Sequence, residues 1–285
     1  LIIMGPAALG AGVIQLNLLL DMIIATHLPD ASMSYLYYAD RLNQLPVGVI
    51  GVALGTVLLP FLSRSIASGD DKQVMRSQTQ AIEMGLFFTI PAAVAFIIVP
   101  NDLIHVLLER SNFSAEATLQ TSLTLTAYAA GLPAYVLAKV FVPGYFARGD
   151  TKTPLKFATV ALFVNVSLNL ILMQYFAHVG LAMATAISAW INVLMLAGGL
   201  IKRGHYKVEK ALVIRLSKYI LCSIIMGIVV WSVQGQVNYL IRGNAFQQIG
   251  GLLILVTSGL TSYVVATFLT KTVKKDELRA LFSKR

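Results

Sequence analysis

In an otherwise apolar chain, a few polar side chains recur at helical spacing and have the chemistry to hold ions or anions. Asp40 and Arg41 stand side by side at the mouth of a glycine-rich apolar run. Charges in lipid are expensive, so this pair must face protein or water. It is either a snorkelling arginine beside a helix-end aspartate or part of a polar cavity for a charged substrate, and the rest of the chain favours the cavity. Asn17 and Asp21 are four apart and share a helical face. Asp21 falls near the middle of an apolar run, so it is either a neutral buried acid or part of a proton or cation site. Asn165 and Asn169 repeat the four-residue spacing, and amides at that depth need partners on a neighbouring helix or an ion. Thr185 and Ser188 are the inward candidates of the next run. Lys139 lies about two turns before a basic loop, so its ammonium either snorkels to the surface or enters a central cavity.

The elements that must position these residues follow from composition. The chain has 285 residues, 57% hydrophobic and 12% charged, with mean hydropathy +0.75. Soluble domains carry about 25% charged residues, so the deficit excludes one. The apolar runs approach or exceed the roughly 20 residues that cross a bilayer as a helix. They are continuous rather than alternating, which argues against a β-barrel. The expected fold is an all-α polytopic membrane protein with eight transmembrane helices, at 7–28, 35–62, 80–100, 119–147, 155–174, 179–200, 212–233 and 246–270. The connection at 101–118 holds a short amphipathic piece, IHVLLE, suited to the interface.

Prolines and glycines mark expected irregularities. Pro46 is expected to kink the second span and Pro91 to break the third. The fourth is expected to break at 131–133 and again at Pro143-Gly144. Gly48, Gly51 and Gly55 offer one face for close approach or sliding. Tyr35, Tyr37 and Tyr38 read as an interfacial aromatic belt. Glu83 is expected to be wet and His105 to be a surface or packing histidine. Cys222 is the sole cysteine and lies in an apolar run, which excludes disulfide scaffolds and cysteine-based metal sites and places it in the core.

The formal charge is +9, with 22 lysines and arginines. Its distribution argues against nucleic acid as a partner. Eighteen of those 22 lie in the loops after spans two, four and six and in the tail, whereas the opposite loops hold Arg110 and Arg242. The positive-inside rule makes the basic side, and with it both ends of the chain, cytoplasmic. The chain starts almost inside a helix, as expected of a C-terminal piece of something longer. Nothing resembles a nucleotide-binding loop, so direct use of ATP is not expected. A non-transporting scaffold is the rival reading, disfavoured by the buried charges at Asp21, Arg41 and Lys139.

Two stretches resemble a known family. YLYYADRLNQLPVGVIGVALGTVLLPFLS and KVFVPGYFARGDTKTPLK are similar to signature segments of the MurJ/MviN family of lipid II flippases, within the multidrug/oligosaccharidyl-lipid/polysaccharide exporter superfamily. The resemblance covers essentially the whole chain. It implies a MATE-like architecture of two six-helix lobes around a cavity, followed by two extra helices. This chain would supply helices seven to fourteen: the second lobe in residues 1–201, and in 202–285 two helices forming a lipid-tail groove plus a basic cytoplasmic tail. The first lobe would be missing.

The resemblance also implies roles. Arg41, with Asp40 beside it, would meet the pyrophosphate of the substrate, for which an arginine fork is suited. Lys139 is the further cavity candidate. The family often has glutamate where this chain has Gln44, three residues after Arg41. Asp21, Asn165, Asn169 and Thr185, with the Leu181 carbonyl, match a sodium site of some members. One carboxylate, two amides and a hydroxyl suit a small hard cation, and an interhelical hydrogen-bond network is the alternative. No other cofactor is implied. Pro46, Gly48, Gly51, Pro133, Pro143 and Gly144 would act as hinges.

The implied activity is not enzymatic. It is translocation of lipid II, the undecaprenyl-pyrophosphate-linked disaccharide-pentapeptide of peptidoglycan synthesis, across the bacterial inner membrane by alternating access. The membrane potential or a cation gradient would drive it. A related exporter of drugs or other polyprenyl-linked oligosaccharides is the alternative transporter.

Overall fold

The computed structural model describes residues 4–110 and 113–272, and of residues 4–11 and 14 the backbone alone. Most of the basic tail therefore lies outside the described residues. The chain is helical: α1 (Met4–Ala25), α2 (Ser32–Pro46), a π-helical segment (Val47–Val52), α3 (Ala53–Ala67), α4 (Asp71–Ile98), α5 (Pro100–Leu108), α6 (Ala115–Phe146), α7 (Lys152–Lys202), α8 (Lys210–Ile241) and α9 (Ala245–Leu269). Because α2, the π segment and α3 run on without interruption, six described helices are long and apolar enough to cross a membrane, where eight were expected. The difference has two sources. Of α1, the apolar stretch Gln15–Ala25 is too short to be counted among the six. The other source is α7, whose 51 residues hold two of the expected spans.

A straight helix of 51 residues would be about 75 Å long, more than twice the hydrocarbon core. It is not straight. Ala177 has φ 47° and ψ −128°, outside helical geometry, and the arms on either side fold together. A Cβ on Gly180 would sit 2.5 Å from the Leu172 carbonyl oxygen. Asn165 reaches Thr185 at 3.2 Å, and at the open end Arg203 pairs with Asp150 at 2.5 Å. α7 is thus a helical hairpin with its tip at Ala177, which brings two polar arms face to face.

Helix ends follow local chemistry. Asp70 accepts from the Gln73 N–H, Ser114 from the Ala117 N–H, and Asn244 and Gln247 form a reciprocal capping box. α3, α6 and α7 end alike: Gly69, Gly149 and Gly204 take φ of 73°, 73° and 71°. The next N–H reaches back to Ser65, Tyr145 and Leu200 carbonyls at 3.0, 3.1 and 2.9 Å. These are left-handed Schellman closures, and all three lie in the basic loops.

α6 is the central post. It buries 56% of its most apolar stretch, whereas Ser32–Ala67 buries 17%. Leu62, Val74, Leu86, Val140, Tyr145 and Leu200 form the main core around α6. A second cluster with Val99, Val106, Cys222, Met226, Leu255 and Tyr263 fixes α8 and α9 to α4 and α5. Cys222 is fully buried, as expected. Glu83 is not simply wet: its carboxylate takes Arg215 at 2.7 Å, tying α4 to α8. His105 likewise pairs, with Glu109 at 2.8 Å. α8 continues through the polar stretch after residue 233 because Gln234 is held by Asp102 at 2.5 Å.

The expected breaks at Pro91, Pro133 and Pro143 do not occur. α4 and α6 pass through all three. Each proline removes an N–H and frees the carbonyl four residues earlier, and in lipid such a group needs a partner within the protein. The Phe87 carbonyl, freed by Pro91, accepts the Tyr263 hydroxyl at 2.7 Å. Near Pro133, the Trp190 indole donates to the Ala130 carbonyl at 2.9 Å. Pro46, expected to kink its helix, is followed directly by the π segment, and the helix runs on through both into α3.

Tyr263→Phe strands the Phe87 carbonyl and is expected to destabilise the protein by about 1–3 kcal/mol, read as a lower denaturation midpoint in detergent. Asp150 gives a pH dependence. Partial burial pushes its carboxyl up, but hydrogen bonds from Thr153 and Arg203 prevail and hold it at about 2. Its folded pKa lies below the unfolded value of about 3.9, so its contribution is complete above that value and is lost as pH falls toward 2. Asp150→Asn should flatten the fall in thermal stability over that window, with the wild-type protein as reference.

Candidate functional site

The five residues matched to a cation site converge where α1 meets the α7 hairpin. Asn169 Nδ2 donates to Asp21 Oδ1 at 2.6 Å and to Asn165 Oδ1 at 3.0 Å. Asn165 Nδ2 donates to Thr185 Oγ1 at 3.2 Å and reaches Ser188 Oγ at 3.5 Å. Thr185 Oγ1 donates to the Leu181 carbonyl at 2.9 Å, and Asn17 Nδ2 donates to Asp21 Oδ2 at 3.2 Å. Helical spacing accounts for the arrangement. Asn165 and Asn169 stack on the first arm, Leu181 and Thr185 on the second, and the Ala177 turn opposes them.

Both asparagines are completely buried. Asn169 Oδ1 has no hydrogen-bond partner, so the network carries one spare acceptor in its interior. Its amide orientation follows from its two acceptors: Nδ2 faces both Asp21 Oδ1 and Asn165 Oδ1. Among the described residues no group of three or more His, Cys, Asp or Glu side chains could hold a metal. A cation here would therefore rest on one carboxylate plus neutral oxygens.

The charged pair is arranged differently. Asp40 and Arg41 do not bond each other. Asp40 accepts from Gln44 Nε2, and the Arg41 guanidinium lies over the Tyr37 ring, 4.8 Å from its centroid. Gln44 thus holds Asp40 with an amide donor that an ionised glutamate would lack. Arg41 is exposed and makes no ion pair among the described residues. Asn43, one turn from Asp40, is buried with its Oδ1 unpartnered. Sequence reasoning passed over it, although its i+3 spacing from Asp40 was the available signal. The tyrosines are not a loose belt: Tyr35 packs on His178 and Tyr38 on Phe113, with centroids 5.1 and 5.4 Å apart.

Lys139 is not brought into contact with Arg41. It crosses the π segment ten residues further along, roughly 15 Å away at helical rise. A Cβ on Gly51 would lie 2.6 Å from Lys139 Cδ, and one on Gly55 3.4 Å from the Lys139 carbonyl oxygen. Lys139 itself is exposed and its ammonium has no partner among the described residues. Of the glycines expected to share one face, Gly51 and Gly55 do make close approaches. Gly48 faces open space, because the longer turn of the π segment rotates it away. Pro133, Pro143 and Gly144 lie inside the unbroken α6. There Gly144 admits Gln78, whose Nε2 a Cβ would meet at 2.8 Å.

Comparison with known proteins decides what this arrangement belongs to. The family model of lipid II flippase MurJ matches residues 1–247. The chain belongs to the lipid II flippase MurJ family. The probable lipid II flippase MurJ of Rhizobium meliloti (strain 1021) is 41% identical over 221 residues, covering 78% of this chain and 41% of that protein. A solved lipid II flippase MurJ in an inward closed conformation superposes with a TM-score of 0.74 at 31% identity, over 90% of this chain and 51% of that one. A MOP superfamily transporter from Pyrococcus furiosus gives 0.60 at 17% identity, over 92% of this chain and 61% of that one, a likeness of fold alone. The chain thus spans about half the length of its MurJ relatives.

Proposed function

We propose that this chain is the second lobe and the two following helices of a transporter that moves lipid II from the cytoplasmic to the periplasmic leaflet of the bacterial inner membrane. On this reading α1, the Ser32–Ala67 helix, α4, α6, the two arms of α7, α8 and α9 make eight crossings. Residues 1–201 form the lobe and 202–285 the accessory pair, and both ends are cytoplasmic. The observation that carries it is Arg41: an exposed, unpaired guanidinium on the least buried of the long helices, in a chain of the MurJ family.

A first lobe seated against Ser32–Ala67 would enclose Arg41 and Lys139 in a cavity. The guanidinium fork fits two phosphate oxygens, and Tyr37 holds it extended toward them. A pyrophosphate sheds its water only against such donors, while the polyprenyl tail stays in lipid along α8 and α9. Gly51 and Gly55, with no side chains in the way of Lys139, allow α6 and the Ser32–Ala67 helix to shift past each other as the lobes rock. The membrane potential or a cation gradient supplies the energy.

The Asp21 cluster fits sodium as the coupling ion. Asp21, Asn165, Asn169, Thr185 and the Leu181 carbonyl would hold it, and the unpartnered Asn169 Oδ1 supplies an acceptor that no protein donor uses. Bound there, the ion would neutralise Asp21 and draw α1 toward both arms of α7.

In the full-length protein, Arg41→Ala is expected to reduce lipid II transport at least tenfold, a loss of about 1.4 kcal/mol or more, with Arg41→Lys retaining part of it. Intact transport in Arg41→Ala would overturn the assignment. For the ion, sodium but not potassium should raise the melting temperature of the purified protein, and Asp21→Asn should remove the effect. Absence of sodium-dependent stabilisation with Asp21 and Asn165 intact would refute that part.

A further inference from the structure

We propose that a second anion site, beyond Arg41, lies in the cleft between the start of α2 and the start of α6, and that it receives the phosphate-bearing saccharide headgroup as it leaves the cavity. This rests on the flippase reading above, which places that end of the helices on the periplasmic side. The cleft measures about 550 Å³, and its lining includes Ser34, Tyr35, Tyr38, Arg110, Phe113 and Ser114. That volume is in the range of small-molecule sites.

The lining is one-sided in its chemistry. It offers donors from a guanidinium, two serine hydroxyls and two phenols, and among the described residues its lining contains no carboxylate. Arg110 is exposed and makes no ion pair among the described residues. The acid next to it in sequence, Glu109, is already engaged by Thr118 Oγ1 at 2.6 Å and by His105 Nδ1 at 2.8 Å. Arg110 is therefore left for an anion that is not part of the described chain, and a guanidinium fork selects phosphate or carboxylate oxygens.

The walls select the rest of the ligand. Tyr35 is fixed against His178, and Tyr38 stands edge-on to Phe113 at 84°. Held rings give flat apolar faces at little ordering cost on binding, and the C–H faces of pyranose rings stack on such surfaces. An anion beside ring faces describes a charged saccharide better than a bare phosphate. The cleft also lies on the path: Tyr37 carries Arg41, and Tyr38, the next residue, is already a wall of the cleft. Tyr38 and Ser34, which line the cleft, precede Arg41 on α2 by about one and two turns.

The test places a cysteine in the cleft, Ser34→Cys, in the full-length protein with other accessible cysteines replaced by serine. It follows labelling by a membrane-impermeant maleimide. UDP-N-acetylmuramyl-pentapeptide, a soluble phosphate-bearing muropeptide, should slow labelling about threefold at twice its Kd, as 1 + [L]/Kd requires. Arg110→Gln should abolish the protection, and Arg110→Lys, which keeps the charge and controls for folding, should retain it. No protection, or protection that survives Arg110→Gln, overturns the site. Equal protection by inorganic pyrophosphate overturns the saccharide assignment. Protection that instead follows the phosphatidylglycerol content of the vesicles makes the occupant a phospholipid headgroup and overturns it too. Because labelling reads binding directly, its failure is distinguishable from failure of the transport reading, which the Arg41 variants report.

Discussion

A backbone carbonyl inside a bilayer has no water to turn to, so each one a proline releases must find a donor from a neighbouring helix. That constraint organises this structure. Pro91 would have ended α4 in a soluble protein or bent it sharply. Here the Tyr263 hydroxyl takes the Phe87 carbonyl, and the same bond fastens α9 to the lobe. Trp190 makes a further tie, from the second arm of α7 to the Ala130 carbonyl of α6, one residue past the Ala129 carbonyl that Pro133 frees. Where a small residue lies at a crossing, the approach is close: a Cβ on Gly131 would come within 2.9 Å of the Ala186 backbone. At Pro91 and Gly131, then, an irregular residue marks a place where helices are held together.

The two polar regions solve opposite problems. Around Asp21 the donors are consumed in order, from Asn17 and Asn169 through Asn165 to Thr185 and Leu181, and what remains over is an acceptor oxygen. Along the Ser32–Ala67 helix Gln44 takes Asp40, Asn43 Oδ1 stays unpartnered, and the charge left without an ion pair among the described residues is positive, on Arg41 and on Lys139 of the facing α6. A region with a spare acceptor favours cations, and one with spare donors favours anions. α6 packs against both α7 and the Ser32–Ala67 helix, and the two regions also touch directly where Tyr35 packs on His178.

Much of this was legible in the residues. Period and length located the helices to within a few residues at most ends, because apolar runs of span length admit few alternatives in lipid. The i, i+4 amides at 165 and 169 and the carboxylate at 21 could be placed on helix faces, and the hairpin geometry brought them together. Partner choice was not legible. Asp40 beside Arg41 suggests a pair, yet adjacent helical residues point about 100° apart, so Gln44 and Tyr37, each one turn away, took the two charges. Glu83 found Arg215 across 132 positions, a contact no local pattern announces. The Ala177 turn was hidden because alanine gives no sign of a left-handed backbone. The π segment was hidden because its sequence is simply apolar.

Lys139 lies with its alkyl stem across Gly51 and its charge unpaired among the described residues. No β-carbon on the facing helix obstructs it at that crossing. On the transport reading, an axial slip of α6 against the Ser32–Ala67 helix would carry an elementary charge along the membrane normal. One charge moved through a full 100 mV drop is worth about 2.3 kcal/mol, and a fraction of that drop biases two conformations in proportion. On the transport reading proposed above, the glycine notch would turn a mechanical displacement into a gating charge, and the helix pair into a voltage-sensitive element.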